Sequence, residues 1–164
     1  MIVVSDTSPI TNLAAIGHLH LLQQLYGSIV IPTAVYDELV NPGKCVPGQQ
    51  EVQKLTWIQK QSVQHIQKVL EIQASRANID RGEAEAIALA LELGASLVLM
   101  DERRGRAAGA AFGLQMTGLL GVLLQAKQAN FIDAVKPLLD SLIVQADFRV
   151  SRKLYDLVLT SAGE

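Results

Sequence analysis

Apolar residues along the chain fall into two kinds of run. Ile2-Val3-Val4, Ile29-Val30-Ile31 and Leu97-Val98-Leu99-Met100 are short and unalternated, the pattern of strands buried on both faces of a parallel sheet. Between them lie longer stretches with apolar residues at helical spacing. The first strand ends at Ser5-Asp6. Ser8 is the expected cap of a helix over Ile10 to Ala15 with Pro9 in its first turn, and a second helical piece runs from Leu19 to Tyr26. Pro32 stops the second strand, and Thr33 to Val40 reads as a helix carrying Asp37 and Glu38. Asn41-Pro42-Gly43-Lys44 and Pro47-Gly48 read as loop. Gln49 to Leu55 is an expected helix, Trp57 to Val63 an expected strand, and Gln64 to Ala77 a Gln-rich helix with apolar Ile66, Val69, Leu70 and Ile72.

The stretch from Asp80 to Arg106 is the most regular. Ala84 to Leu93 is dense in helix formers, Gly94 is a stop, and Leu97 to Met100 is a strand. A helix of about 11 residues at ~1.5 Å per residue spans roughly 16 Å, close to a strand of about five residues at ~3.3 Å each. The Gly94-Ala95 link is short, so Glu83 at the helix start and Asp101 after the strand finish on one edge. Beyond them, helix signals run through Arg106 to Phe112. Leu114-Gln115-Met116 is an expected short strand, and Thr117 the expected cap of a helix over Gly118 to Gln128. Phe131 to Gln145, with Pro137 in its first turns, and Arg152 to Thr160, capped by Ser151, read as helices. Alternating strands and helices predict an α/β domain, a central, mostly parallel sheet flanked by helices in three layers. Ligands of such sheets gather at the carboxyl ends of strands, near the reversal of strand order, where Asp6 and Asp101 both stand.

The 164 residues, 49% hydrophobic and 18% charged, suit one globular domain over residues 1–164. A net charge of -2 lacks the basic footprint of non-specific nucleic-acid binding, so a nucleic-acid partner would need local arginines or metal ions to offset its phosphates. Cys45, the one cysteine, has no internal disulfide partner and reads as inert in a reducing compartment. No basic leader precedes the short first apolar run, and no stretch approaches the roughly 20 apolar residues of a membrane span, so the expectation is a cytoplasmic protein with no membrane contact.

The acids must first be weighed as helix caps. Ser8-Pro9 leaves Asp6 free for other work. Asp101 could cap a helix beginning at Glu102, and Asp80 and Glu83 stand at capping-box spacing. Glu38 reads by default as a solvated surface acid, Glu85 and Glu92 as exposed helix face. Taken together, Asp6, Glu83 and Asp101 at one sheet edge would repel one another unless protons or cations intervene. Oxygen ligands without a nearby His or Cys favour Mg²⁺ or Mn²⁺, which suits phosphoryl chemistry. His18, His20 and His65 fall on expected helices away from this edge, and no Walker lysine loop is present.

Four stretches carry a family resemblance: Val4-Ser5-Asp6-Thr7-Ser8-Pro9-Ile10, Glu38-Leu39, Arg81 to Ala90, and Leu99 to Arg106, with Thr117-Gly118 through Ala126-Lys127 later. Together they resemble the PIN domains, in the prokaryotic branch described as predicted nucleic-acid-binding proteins. The resemblance implies a PIN-like, Rossmann-like fold and a Mg²⁺- or Mn²⁺-dependent ribonuclease, with Asp6, Glu38, Glu83 and Asp101 as its catalytic and metal-binding acids. It promotes Glu38, which its position alone leaves as a surface acid. It further implies RNA as substrate, with DNA left open, a toxin role beside a protein antitoxin, and frequent dimerisation. Glu83 stands where many toxin members carry aspartate. Thr7 and Ser8 are candidate hydrogen-bonding groups, and Arg103, Arg104 and Arg106 candidate phosphate contacts. A second reading is a non-catalytic PIN-fold module that binds nucleic acid or protein.

Overall fold

The computed structural model describes every residue except Pro42 and Ala77, so the expected loop proline and the expected helix end at those two positions lie outside the described residues. Five strands, β1 (Val3–Ser5), β2 (Ile29–Pro32), β3 (Ile58–Gln61), β4 (Leu97–Leu99) and β5 (Met116–Thr117), form one sheet in the order β3-β2-β1-β4-β5. Every pairing is parallel. The first three strands add outward in one direction and the last two in the other, so the order reverses between β1 and β4. There Val3, Val4 and Ser5 pair with Leu97, Val98 and Leu99. Asp6 and Asp101 leave the carboxyl ends of the two strands that flank the reversal.

Alternate strand residues serve two cores, one on each face of the sheet. Val3, Ile29, Ile31, Leu97 and Leu99 join one core with α1 (Thr7–Ala15), α2 (His20–Tyr26), α8 (Leu119–Gln128) and α9 (Lys136–Gln145). Val4, Val30, Val98 and Met100 join the other with α5 (Ile66–Ser75), α6 (Arg81–Leu93) and α7 (Arg103–Ala111). This is the three-layer α/β arrangement. The remaining helices are α3 (Thr33–Leu39), α4 (Gln49–Lys54) and α10 (Arg152–Ser161). Among the described residues no helix is long and apolar enough to cross a membrane.

Gly94 ends α6 in the left-handed region, at φ 61, with its N–H on the Ala90 and Leu91 carbonyls, so the tight stop returns the chain to β4. Ser151 accepts from Leu154 N and caps α10. Elsewhere the caps differ from the local expectation. Ser8 caps nothing: α1 begins a residue earlier, at Thr7, and Asp6 occupies the N-cap position without a side-chain cap bond. Thr117 belongs to β5 and Gly118 is the N-cap of α8. The helix expected from Phe131 starts only at Lys136, after a run of bends. His18 lies between α1 and α2 and His65 at the N-cap of α5, neither within a helix.

Glu85 and Glu92 are the larger correction. Glu85 is buried: its Oε1 accepts from Ala34 N at 3.1 Å, and its Oε2 accepts from Arg81 Nε at 2.6 Å. Glu92 accepts from the backbone N–H groups of Gln64 and His65 at the start of α5. Glu85 and Glu92 thus satisfy amides at the start of a neighbouring helix, where the helix dipole favours negative charge. Glu85 ties the first turn of α3 to α6, and α3 carries Glu38. Glu85→Ala is therefore expected to destabilise the protein by about 0.5–1.5 kcal/mol, the net worth of a part-buried hydrogen bond, which denaturant melts would measure. An unchanged midpoint would show the tie to be idle.

Candidate active site

Asp6 follows the last residue of β1, with its N–H bonded to Leu99 O at 2.9 Å, and its side chain is 6% exposed. Burial pushes its carboxyl up to about 8. The Thr7 amide partly offsets this, and the charges of Asp80, Glu83 and Glu38 add to it. Glu38, exposed near the end of α3, accepts a hydrogen bond from Thr7 Oγ1. Glu83 is buried at the start of α6. It completes a capping box in which Glu83 N donates to Asp80 Oδ1 at 2.8 Å and Asp80 N donates to Glu83 Oε2 at 3.1 Å. Burial raises the Glu83 carboxyl too, and Asp80, Glu102 and Glu38 add to the rise. Glu83 thus caps its helix and faces the other acids with the same carboxylate.

Gly82 marks where these groups meet. A Cβ on Gly82 would lie 3.5 Å from Asp80 Oδ1, 3.5 Å from Glu38 Oε2 and 3.6 Å from Asp6 Oδ1. The absent side chain leaves that space to carboxylate oxygens. Gly105 makes a comparable contribution, since a Cβ there would run into Met100 Sδ and reach 3.5 Å from the Glu83 carboxyl carbon. A larger residue there would have to displace the Met100 side chain.

Asp101 is held differently. Its Oδ1 accepts from Leu119 N at 2.7 Å, and its Oδ2 accepts from Ser8 Oγ at 3.1 Å and Asn12 Nδ2 at 3.4 Å. It therefore caps α8 across the sheet edge, where the sequence expectation was the helix directly after it. That helix, α7, has Glu102 at its N-cap. Burial raises the Asp101 carboxyl, with the three hydrogen bonds and Arg106 opposing the rise. A cavity of about 320 Å³ is lined by Asp6, Glu38, Asp80, Glu83 and Glu102, whereas Asp101 lines a neighbouring cleft. Asp6, Glu38 and Glu83 are thus brought to one space, and Asp101 to its rim.

Two acids of that cavity lay outside the sequence-derived set. Asp80 was legible only as a cap, although its position at the head of α6 already placed it on the same edge. Glu102 is the residue after Asp101. Among the candidate cations, Arg106 donates from Nη1 to the Met100 and Asp101 carbonyls, while Arg103 and Arg104 are exposed on the first turn of α7.

A parallel sheet with acids at its carboxyl edge, on either side of the strand reversal, is a doubly wound α/β domain with its site at the switch point. Within that class the chain belongs to the PIN domain family: the family model DUF3368, described as a PIN domain, matches residues 2–164. The PIN fold is a nuclease fold, and PIN domains generally use divalent metals. No curated protein matches the chain. The donor set suits such a metal in chemistry, being carboxylate oxygens only. In position it is looser, because among the described residues no three His, Cys, Asp or Glu side chains are grouped to hold an ion as they stand.

Proposed function

We propose that the protein is a Mg²⁺- or Mn²⁺-dependent endoribonuclease that hydrolyses phosphodiester bonds, acting as the toxin of a toxin–antitoxin pair. The observation that carries this reading is the meeting of Asp6, Glu38 and Asp80 carboxylate oxygens over Gly82, with Asp6 buried and its carboxyl raised. Carboxylates that share one space, one of them buried, cost stability unless a proton or other positive charge joins them.

Asp6, Glu38 and Glu83 would hold the ion. When bound, it supplies Lewis acidity toward a phosphate oxygen and toward water. Asp6, its carboxyl raised by burial, would give up its proton to serve as a ligand. Thr7 restrains Glu38, and the capping box restrains Glu83. Asp101, fixed by Ser8, Asn12 and the α8 amide, orients the rim of the site, and Arg106 beside it supplies positive charge toward the scissile phosphate. An antitoxin and a second copy of the chain are the partners this reading expects.

The test incubates the purified protein with single-stranded and structured RNAs in Mg²⁺, Mn²⁺ or chelator, beside Asp101→Asn. Cleavage that needs the metal and falls at least about 10-fold in the variant is expected. Cleavage that survives chelation sinks the proposal. The loose grouping of the acids favours one alternative, a PIN-fold module that binds without turnover, and metal binding with no cleavage of any RNA would select it.

A further inference from the structure

A cleft of about 640 Å³ opens beside the acid site on the far side of Asp101. Ser8 and Glu102 line both spaces, so the two adjoin. Its volume lies within the roughly 300–1,000 Å³ of small-ligand sites. One wall is the first turn of α8, where Gly118 and Gly121 bring backbone to the surface. The facing wall is the segment after α9, Asp147-Phe148-Arg149. That segment is held in shape: Asp147 stands in the left-handed region at φ 52, and Phe148 N donates to Leu142 O at 3.1 Å. Phe148 is half-buried and Arg149 exposed, and among the described residues Arg149 joins no ion pair.

An aromatic ring, two guanidinium groups from Arg106 and Arg149, and the Asn12 amide line one concave space. That combination matches an unpaired nucleotide, whose base stacks on an aromatic face while its phosphate meets arginine. The carboxylates of Asp101, Glu102 and Asp147 repel a phosphate from their side. They remain as acceptors for ribose hydroxyls or exocyclic amines. A base still stacked in a duplex presents no face to Phe148.

We infer that this cleft is a subsite for one unpaired nucleotide, its base against Phe148 and its phosphate drawn to Arg149 and Arg106. Its place next to the bond that is cut rests on the nuclease reading; binding in the cleft does not. The experiment titrates ribonucleoside 5′-monophosphates into the full chain in chelator and follows backbone amide resonances by NMR. Shifts concentrated at Gly118, Gly121, Phe148 and Arg149 are expected. Phe148→Ala and Arg149→Gln should each weaken binding at least about 10-fold, and Phe148→Tyr should restore it. Arg149 is exposed, so its variant keeps the test informative if Phe148→Ala unfolds. Undetectable binding at millimolar nucleotide, shifts elsewhere, or unchanged affinity in Arg149→Gln overturns the subsite. Protection of the same resonances by a peptide partner without any nucleotide effect overturns it as well. If the nucleotides bind as described and no RNA is cleaved, the subsite stands and the nuclease reading fails. If RNA is cleaved with unaltered KM in Arg149→Gln, the reverse holds.

Discussion

Asp6→Asn is expected to lower metal-dependent RNA cleavage by about 100-fold or more and, in the same protein, to raise the thermal midpoint measured in chelator at pH 7. The two effects have one cause. Asp6 is 6% exposed and its carboxyl is pushed up to about 8, first by burial and then by Asp80, Glu83 and Glu38. Asparagine keeps the shape and removes the charge. The loss of activity follows from taking a ligand and a fixed negative group out of a preorganised site, where single groups are commonly worth 10²–10³ in rate. The gain in stability, on the order of 1–3 kcal/mol, follows from ending the cost of keeping a buried acid that would ionise freely in the unfolded chain. If Asp6 served mainly as the N-cap of α1, the variant would instead lose stability. The geometry opposes this, since the side chain makes no cap bond. Cleavage assays and melts on one preparation separate the outcomes, and full activity in Asp6→Asn would remove Asp6 from the site.

β1, β2 and β4 were legible because they are short unalternated apolar runs, a direct result of burial on both faces, and the helix, stop and strand from Asp80 to Met100 were legible because propensity, capping box and Gly94 agree. The edge shared by Asp6, Glu83 and Asp101 followed from chain geometry alone. Illegible was which charged residues do structural work at a distance. α3, α5, α8 and α9 have no side-chain cap of their own. Acids far away in sequence reach the amides at or just before their first turns: Glu85 to Ala34, Glu92 to Gln64 and His65, Asp101 to Leu119, and Glu164 to Val135 and Lys136. Local sequence rules look for a cap next to the helix, so they read Glu85 and Glu92 as exposed and offered Asp101 only the helix directly after it. The same blindness hid Glu38, whose position near the other acids depends on how α3 is tied to α6.

The metal-free protein is expected to lose stability as pH rises from about 4 to about 8, and a saturating divalent cation to suppress that loss. The sign follows from Asp6, whose value in the fold, about 8, lies above its ordinary 3.8. Its contribution is complete below the unfolded value and declines through the interval, by up to ~1.4 kcal/mol per pH unit for one proton. Glu83 and Asp101 are raised as well, first by burial, and act in the same direction. The charges that face them oppose one another: Asp80, Glu38 and Glu102 add to the repulsion at the acid cavity, Arg106 lowers the Asp101 carboxyl, and Lys44 stands exposed on the cavity wall. A cation that binds among these acids must displace a proton, so its binding at pH 7 should release on the order of one proton per ion. Calorimetric titration of Mn²⁺ in two buffers of different ionisation enthalpy reads that number, and chelator melts from pH 4 to 8 read the stability slope. A flat melt profile with no proton release would mean that Asp6 is ionised in the fold. The loss of stability assigned to the burial of Asp6 would then be absent.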